Sequence, residues 1–244
     1  MSFELVHYLP ILISVWFPIT FLITYTIAVC DNHVSPLFPF ISDTGTFSPE
    51  SCIFGQMLNL GAMMMAACCY LRYLQIQDLY ENNSFPDSLR KHNKLSFILG
   101  LSSSIGISIV GNFQEKNALA VHFIGAFLAF GVGWVYFTIQ THMAFKIYPH
   151  LGTKGMNWFR LILSVGVIIF FILIFVFGTV AYLNGAPAEI LQKLDPGDPG
   201  WLWHFMCTLS EWILTLCEIL FLASFTHDFK RISFTGPSIS YKLK

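Results

Sequence analysis

The run FRLILSVGVIIFFILIFVFGTVAY, residues 159–182, decides the class of this protein. After Arg160 no charged side chain appears until Glu189. A helix needs about 20 mostly apolar residues to cross the roughly 30 Å hydrocarbon core of a bilayer, and this run supplies them. The composition extends the reading to the whole chain. Of 244 residues, 55% are hydrophobic and 16% aromatic, while only 11% are charged. A soluble domain carries about 25% charged residues to cover its surface. Thirteen basic and 14 acidic side chains cannot solvate a globule of this size, which argues against a soluble enzyme and against a disordered chain. A net charge of −1 removes any general polyanion surface, so no nucleic-acid partner is expected.

Working outward from that run, five more apolar stretches qualify. The sixth span covers about Trp201 to Phe225 and contains two glutamates; the fourth covers about Ala118 to Thr141 and the third about Leu95 to Val110. The second runs from about Ile53 to Tyr70 and stops at Arg72, and the first from Tyr8 to Val29. The first lacks the basic leader of a secretory signal and reads as a retained helix, with Pro18 as a kink. The fold class is therefore all-α: a polytopic membrane protein of six transmembrane helices. Residues 1–234 form one domain and residues 235–244 a short tail. No pair of spans repeats another, so the inverted-repeat signature of many transporters is missing.

Basic residues set the direction. The loop 72–94, the loop 146–160 and the C-terminal tail together hold 11 of the 13 lysines and arginines, and the opposite loops hold only Lys116 and Lys193. The positive-inside rule places both termini, and the tail, in the cytoplasm. The sequon Asn82-Asn83-Ser84 falls on that side and is expected to stay unmodified.

Cys68, Cys69, Cys207 and Cys217 lie inside spans and read as small packing residues. Cys30 and Cys52 bracket the first loop, which faces an oxidising compartment if it is lumenal or extracellular; they are a candidate disulfide. No Cys/His spacing suggests structural zinc, and neither a metal nor another cofactor is expected.

The first loop, Asp31 to Cys52, is stiffened by Pro36, Pro39 and Pro49. Asp43 and Ser42 suit a self-capping loop, and Ser48-Pro49-Glu50 suits a helix start with Ser48 as N-cap. The alternative is a lid that points Asp43 and Glu50 into a site. Asn112 and Gln114, between spans three and four, suit hydrogen bonds to helix ends, and His122 follows about a turn into span four. In span six, His204, Glu211 and Glu218 stand seven residues apart and share a helix face. Acids at that depth cost a few kcal/mol, so they must face the bundle interior or a wet cavity. They line either a proton or substrate path or a packing contact, with Asn59, Ser102–Ser104 and Thr208 as candidate partners. Asp43, His122, His204 and Glu211 would be the raw material for a lipid hydrolase or acyltransferase, but no nucleophile elbow or HExxH motif accompanies them, and no enzyme is expected.

The run Pro39-Phe40-Ile41-Ser42-Asp43-Thr44-Gly45-Thr46 with Pro49-Glu50 resembles the first lumenal loop of the damage-regulated autophagy modulator (DRAM) family. Phe54-Gly55, Asn59, Arg72-Tyr73, Asn112-Phe113-Gln114, His122, Glu211-Trp212 and Asp228-Phe229 match in order and spacing, across nearly the whole chain. The resemblance implies six spans, a mainly lysosomal or endosomal membrane (the plasma membrane is the alternative), and a role in promoting autophagy and cell-death responses. The wider superfamily is similar to proteins that remodel GPI-anchor lipids or place a lipid kinase at the membrane, which makes membrane lipids the expected partners, alongside other membrane proteins. The resemblance brings no catalytic residues.

The reading taken forward is a membrane regulator that binds lipids or membrane proteins. The alternatives are a lipid transporter, scramblase or remodelling enzyme with an intramembrane cavity, and a proton-coupled carrier that titrates Glu211 or Glu218.

Overall fold

A computed structural model describes residues 2–3, 5–83, 85–186 and 191–235. Six helices are long and apolar enough to cross a membrane: α1 Tyr8–Cys30, α2 Glu50–Asn82, α3 Asp87–Asn112, α4 Glu115–Ile147, α5 Lys154–Leu183 and α6 Trp201–Phe229. Each packs on its neighbour in sequence, and α6 closes back on α1, so the helices form a ring. The links 83–86, 113–114 and 148–153 are short and favour antiparallel neighbours, while the links 31–49 and 184–200 are long. Ser2–Phe3 pairs antiparallel with Phe234–Thr235, which puts both termini at one end of the bundle. The sequon's Ser84 and tail residues 236–244 lie outside the described residues.

The apolar run 159–182 lies in α5, the least buried of the six helices. Ile162, Val165, Ile169, Ile172 and Phe175 on α5 are all exposed on the bundle's outer surface. The core lies on the inward faces of α1, α2, α4 and α6, where Phe17, Phe54, Phe137, Phe221 and Phe225 are buried.

Two expectations about span ends are corrected. Helix α2 does not stop at Arg72; it continues to Asn82. Arg72 is 1% exposed and lies inside the bundle. Its Nη1 donates to Asp228 Oδ2 at 2.9 Å, and Arg160 Nη2 reaches the same oxygen at 2.9 Å. The Phe225 ring lies against both guanidinium groups, 4.9 and 5.3 Å from its centroid. Gln75 and Gln140 accept from Arg72, and the Ser224 hydroxyl and carbonyl accept from Arg160, which adds four hydrogen bonds to the ion pairs. A charge can be buried when it is paired and hydrogen-bonded in this way. Two of the 11 residues in the charge count are thus bundle residues rather than loop charges. The second correction is at the start of α2. Pro49, not Ser48, occupies the cap position, Glu50 begins the helix, and no side chain caps it.

Helix α4 is irregular. Ala118 departs from helical geometry (φ −146°, ψ 55°), and Phe127–Val132 winds as a π-helix. The wider turn loosens the backbone ladder, and Ser103 Oγ of α3 donates to Ala129 O at 3.0 Å. The two helices touch backbone to backbone here. A Cβ on Gly106 would sit 2.5 Å from Ala129 N and 2.7 Å from Gly125 O, so only glycine permits the approach.

Candidate functional site

At the end of the bundle opposite the termini, the first loop folds inward as a plug. Val34, Ile41, Asp43, Thr44 and Thr46 are all buried. Thr44 Oγ1 lies 3.0 Å from Thr24 Oγ1 of α1, and Tyr25 donates to Pro36 O at 2.8 Å. Ile41 N donates to Glu211 Oε2 at 2.7 Å, and Trp212 Nε1 to Pro39 O at 2.9 Å, which ties the loop to α6. Ser35 N and Oγ bond Gln192 O and Asp195 Oδ1, both at 2.8 Å, which ties it to the last loop. Gly45 lets Phe54 approach so closely that a Cβ there would fall 2.3 Å from the ring.

Beneath the plug the first half of α4, Glu115–Ala126, stands away from α5. The gap is a groove of about 590 Å³ between α4, α5 and α6. Its walls are apolar, with Phe123, Phe127 and Phe130 on α4 and Phe171, Ile174 and Phe175 on α5. Its inner end is polar: Ser42, Glu115, His122, His204 and Glu211 converge there. A smaller cavity of about 80 Å³ continues from Ser42, His122 and Glu211 toward Thr215 and Glu218. Glu218 Oε1 and Thr215 Oγ1 have no hydrogen-bond partner. The inner cavity ends against Phe137 and Leu222, on the near side of the Arg72–Asp228–Arg160 cluster.

His204 and Glu211 line the groove, and Glu211 and Glu218 line the inner cavity, so Glu211 stands between the two. His122 joins them from α4, held by a 2.8 Å contact of its Nδ1 with Phe113 O. Asn59 does not: it bonds Ser108 Oγ at 2.6 Å and Asn112 at 2.8 Å between α2 and α3, away from the glutamates it was expected to meet. Thr208 bonds its own helix at Phe205 O and likewise leaves them alone. Asn112 belongs to the Asn59 pair, and Gln114 is the residue before α4, so neither lines the groove. Glu115 and Ser42 do, with Ser42 Oγ donating to Glu115 Oε2 at 3.4 Å. The sequence reading gave Ser42 only a self-capping role and Glu115 none, and an acid on the first residue of a helix gives no sign that it will face a cavity.

Asp43 lies just above this polar end, 2% exposed, with Oδ2 unpartnered. Burial pushes its carboxyl well above the usual range, and the Glu115 and Glu211 carboxylates push the same way.

Cys30 and Cys52 are both exposed free thiols, not a bridged pair. Between them in the fold sit Asp31, His33 and Glu50, whose ligand atoms lie within 4.8 Å of one another. These residues can hold a cation, although no Cys/His spacing announced it. Among the described residues, no serine, threonine or cysteine of the groove is hydrogen-bonded to a histidine, so a nucleophile–base pair is not assembled there.

Residues 5–232 match the Frag1/DRAM/Sfk1/Cwh43P N-terminal domain. DNA damage-regulated autophagy modulator protein 2 of Bos taurus is 37% identical over 230 residues, covering 93% of this chain and 85% of that one. Protein 1 of the same name from Homo sapiens is 32% identical over 228 residues, covering 93% and 92%. The modulator of macroautophagy TMEM150B of Xenopus tropicalis is 39% identical over 223 residues, covering 91% and 85%. No solved structure matches. With its six-span ring, a domain match over almost its full length and relatives above 30% identity, this integral membrane protein belongs to the DRAM family.

Proposed function

We propose that this protein is a non-catalytic membrane regulator of autophagy, resident in lysosomal or endosomal membranes, that works by holding a membrane lipid in the groove between α4, α5 and α6. The relatives' names support the autophagy role. The observation that carries the lipid is the groove itself: phenylalanine walls at bilayer depth leading to one cluster of polar side chains. Its volume of about 590 Å³ falls in the range of small-molecule sites, about 300–1,000 Å³. The lipid's chain lies between the α4 and α5 phenylalanines, and its head meets Ser42, His122, His204 and Glu211. No lysine or arginine lines the groove, so the head it suits donates hydrogen bonds rather than presenting a phosphate. Binding is favoured over passage, because the inner cavity stops at Phe137 and Leu222 before the buried ion cluster. A bound lipid would brace the plug, which Glu211 already anchors through Ile41, and so change the surface the loop offers to partner proteins.

The test is native mass spectrometry with lipid analysis of the purified protein. Gly178 lines the groove, and a Cβ there meets only Cys207 Sγ at an ordinary 3.5 Å, so Gly178→Leu fills the space without disturbing the backbone. Wild type is expected to retain a lipid enriched over the bulk membrane, and Gly178→Leu to lose at least about tenfold of it, equivalent to about 1.4 kcal/mol. Glu211→Gln keeps an acceptor for Ile41 N but removes the charge, and is expected to shift which head group is retained. A wild-type lipid profile indistinguishable from the bulk membrane would defeat the reading.

A further inference from the structure

The two roots of the first loop meet at Asp31, His33 and Glu50, and from their arrangement we propose a divalent transition-metal site there. Asp31 caps the C-terminal end of α1, His33 follows two residues later, and Glu50 is the first residue of α2. Residues 17 to 19 positions apart in sequence are thus brought within 4.8 Å at their ligand atoms.

Glu50 is 0% exposed, and its Oε2 has no hydrogen-bond partner among the described residues. A buried carboxylate oxygen without a donor is uncommon, and an ion is one of the few things that explains it. The other oxygen, Oε1, lies 2.6 Å from His33 Nδ1, a separation that requires a proton or a metal ion shared by the two atoms. A proton on Nδ1 satisfies Oε1 and leaves Oε2 bare. A metal cation in its place is shared by the imidazole nitrogen and the Glu50 carboxylate, with Asp31 completing the set. Two ligands on one zinc ion stand no more than about 4.2 Å apart, given bonds of about 2.1 Å. Around a tetrahedral ion the ligand atoms stand about 3.4 Å apart, so on loading the widest separations close and the 2.6 Å His33–Glu50 contact opens, which exposed Asp31 and part-exposed His33 can follow by side-chain rotation.

The helix ends reinforce the site. The N-terminal dipole of α2 stabilises Glu50 as an anion, and the carbonyl end of α1 adds negative potential beside Asp31. One imidazole and two carboxylates select a borderline ion such as Zn²⁺ or Mn²⁺ over Ca²⁺, which takes six to eight oxygens. Coordination leaves at least one open position for water. Bound there, the ion joins the two roots of the plug whose middle, Ile41, is held by Glu211, and so sets how firmly the loop closes over the groove.

The experiment uses full-length protein in detergent, freed of its purification tag, stripped with chelator and titrated calorimetrically with ZnCl₂, MnCl₂ and CaCl₂. One equivalent of Zn²⁺ or Mn²⁺ is expected, at least tenfold tighter than Ca²⁺. Because Glu50 is buried and Glu50→Gln can fail to fold, the decisive variants are Asp31→Asn and His33→Gln at the accessible positions. Each is expected to weaken binding at least tenfold while the protein stays monodisperse. The Cys30→Ser/Cys52→Ser pair removes the neighbouring thiols and is expected to bind normally. No binding by wild type, preference for Ca²⁺, or binding that survives His33→Gln but disappears with the serine pair would each overturn the proposal.

Discussion

Asp43 combines full burial, an unpartnered oxygen and two neighbouring acids. Its carboxyl is raised in the folded protein, so the folded state binds this proton more tightly than the unfolded chain does. The advantage is complete below the unfolded value of 3.8 and is lost as pH rises through the folded value. Wild type is therefore expected to be more heat-resistant under acid than neutral conditions, to the extent that Asp43 governs the profile. Asp43→Asn mimics the protonated form and should match wild type near pH 4 while melting higher at pH 7.5. Thermal unfolding followed by intrinsic fluorescence at the two pH values checks this, and a variant less stable than wild type at pH 7.5 would contradict it. At this scale the stripe His204–Glu211–Glu218 was legible, because a spacing of seven residues fixes a helix face whatever surrounds it. Asn59 was not: polarity made it a candidate partner for the glutamates, but only the angular position of α2 in the ring shows that it meets Ser108 and Asn112.

Between elements, one cluster joins α2, α5 and α6. Asp228 accepts from two arginines, and neither guanidinium has water to fall back on. Removing one partner of a buried pair costs about 3–5 kcal/mol, because the remaining charge stays buried without compensation. Here two charges would be left. Asp228→Ala is expected to lose at least that much, a large share of a typical total of about 5–15 kcal/mol, and Asp228→Glu to recover part of it. Fluorescence-detected size exclusion and thermal unfolding measure both, and a loss below about 1 kcal/mol would show that the glutamine and serine contacts hold the arginines by themselves. The same cluster explains why Arg72 was counted as a loop charge although it is buried. An arginine in an apolar run ordinarily marks the membrane surface, and its partner lies 156 residues away in sequence. The π-segment of α4 was equally invisible, since Phe127–Val132 reads as any apolar stretch; it lies where Gly106 of α3 makes its close backbone approach.

The molecule as a whole is a ring of six helices with its two ends built differently. The end that holds the termini is closed by ion pairs and aromatic rings, and the opposite end by a folded loop over an acidic, phenylalanine-walled groove. The pairing of Ser2–Phe3 with Phe234–Thr235 requires both termini on one side of the membrane. The positive-inside rule predicts from the surplus of basic residues on that side that it is the cytoplasmic one. Epitope tags at the two ends are expected to become accessible together when the plasma membrane is selectively permeabilised, and a tag inserted at exposed Leu37 only after internal membranes are opened. Split accessibility of the two terminal tags would refute the shared side.

By itself the sequence determined the class, the number of spans and the helix face of the polar residues in α6. Each of these follows from local composition and period, which water and lipid read residue by residue. Only the tertiary structure decided that the first loop turns inward, that α4 and α5 part to form a groove, that Arg72 and Arg160 share Asp228, and that Asp31, His33 and Glu50 meet. Those features depend on distances between residues far apart in the chain, and such distances are set by packing rather than by any local pattern.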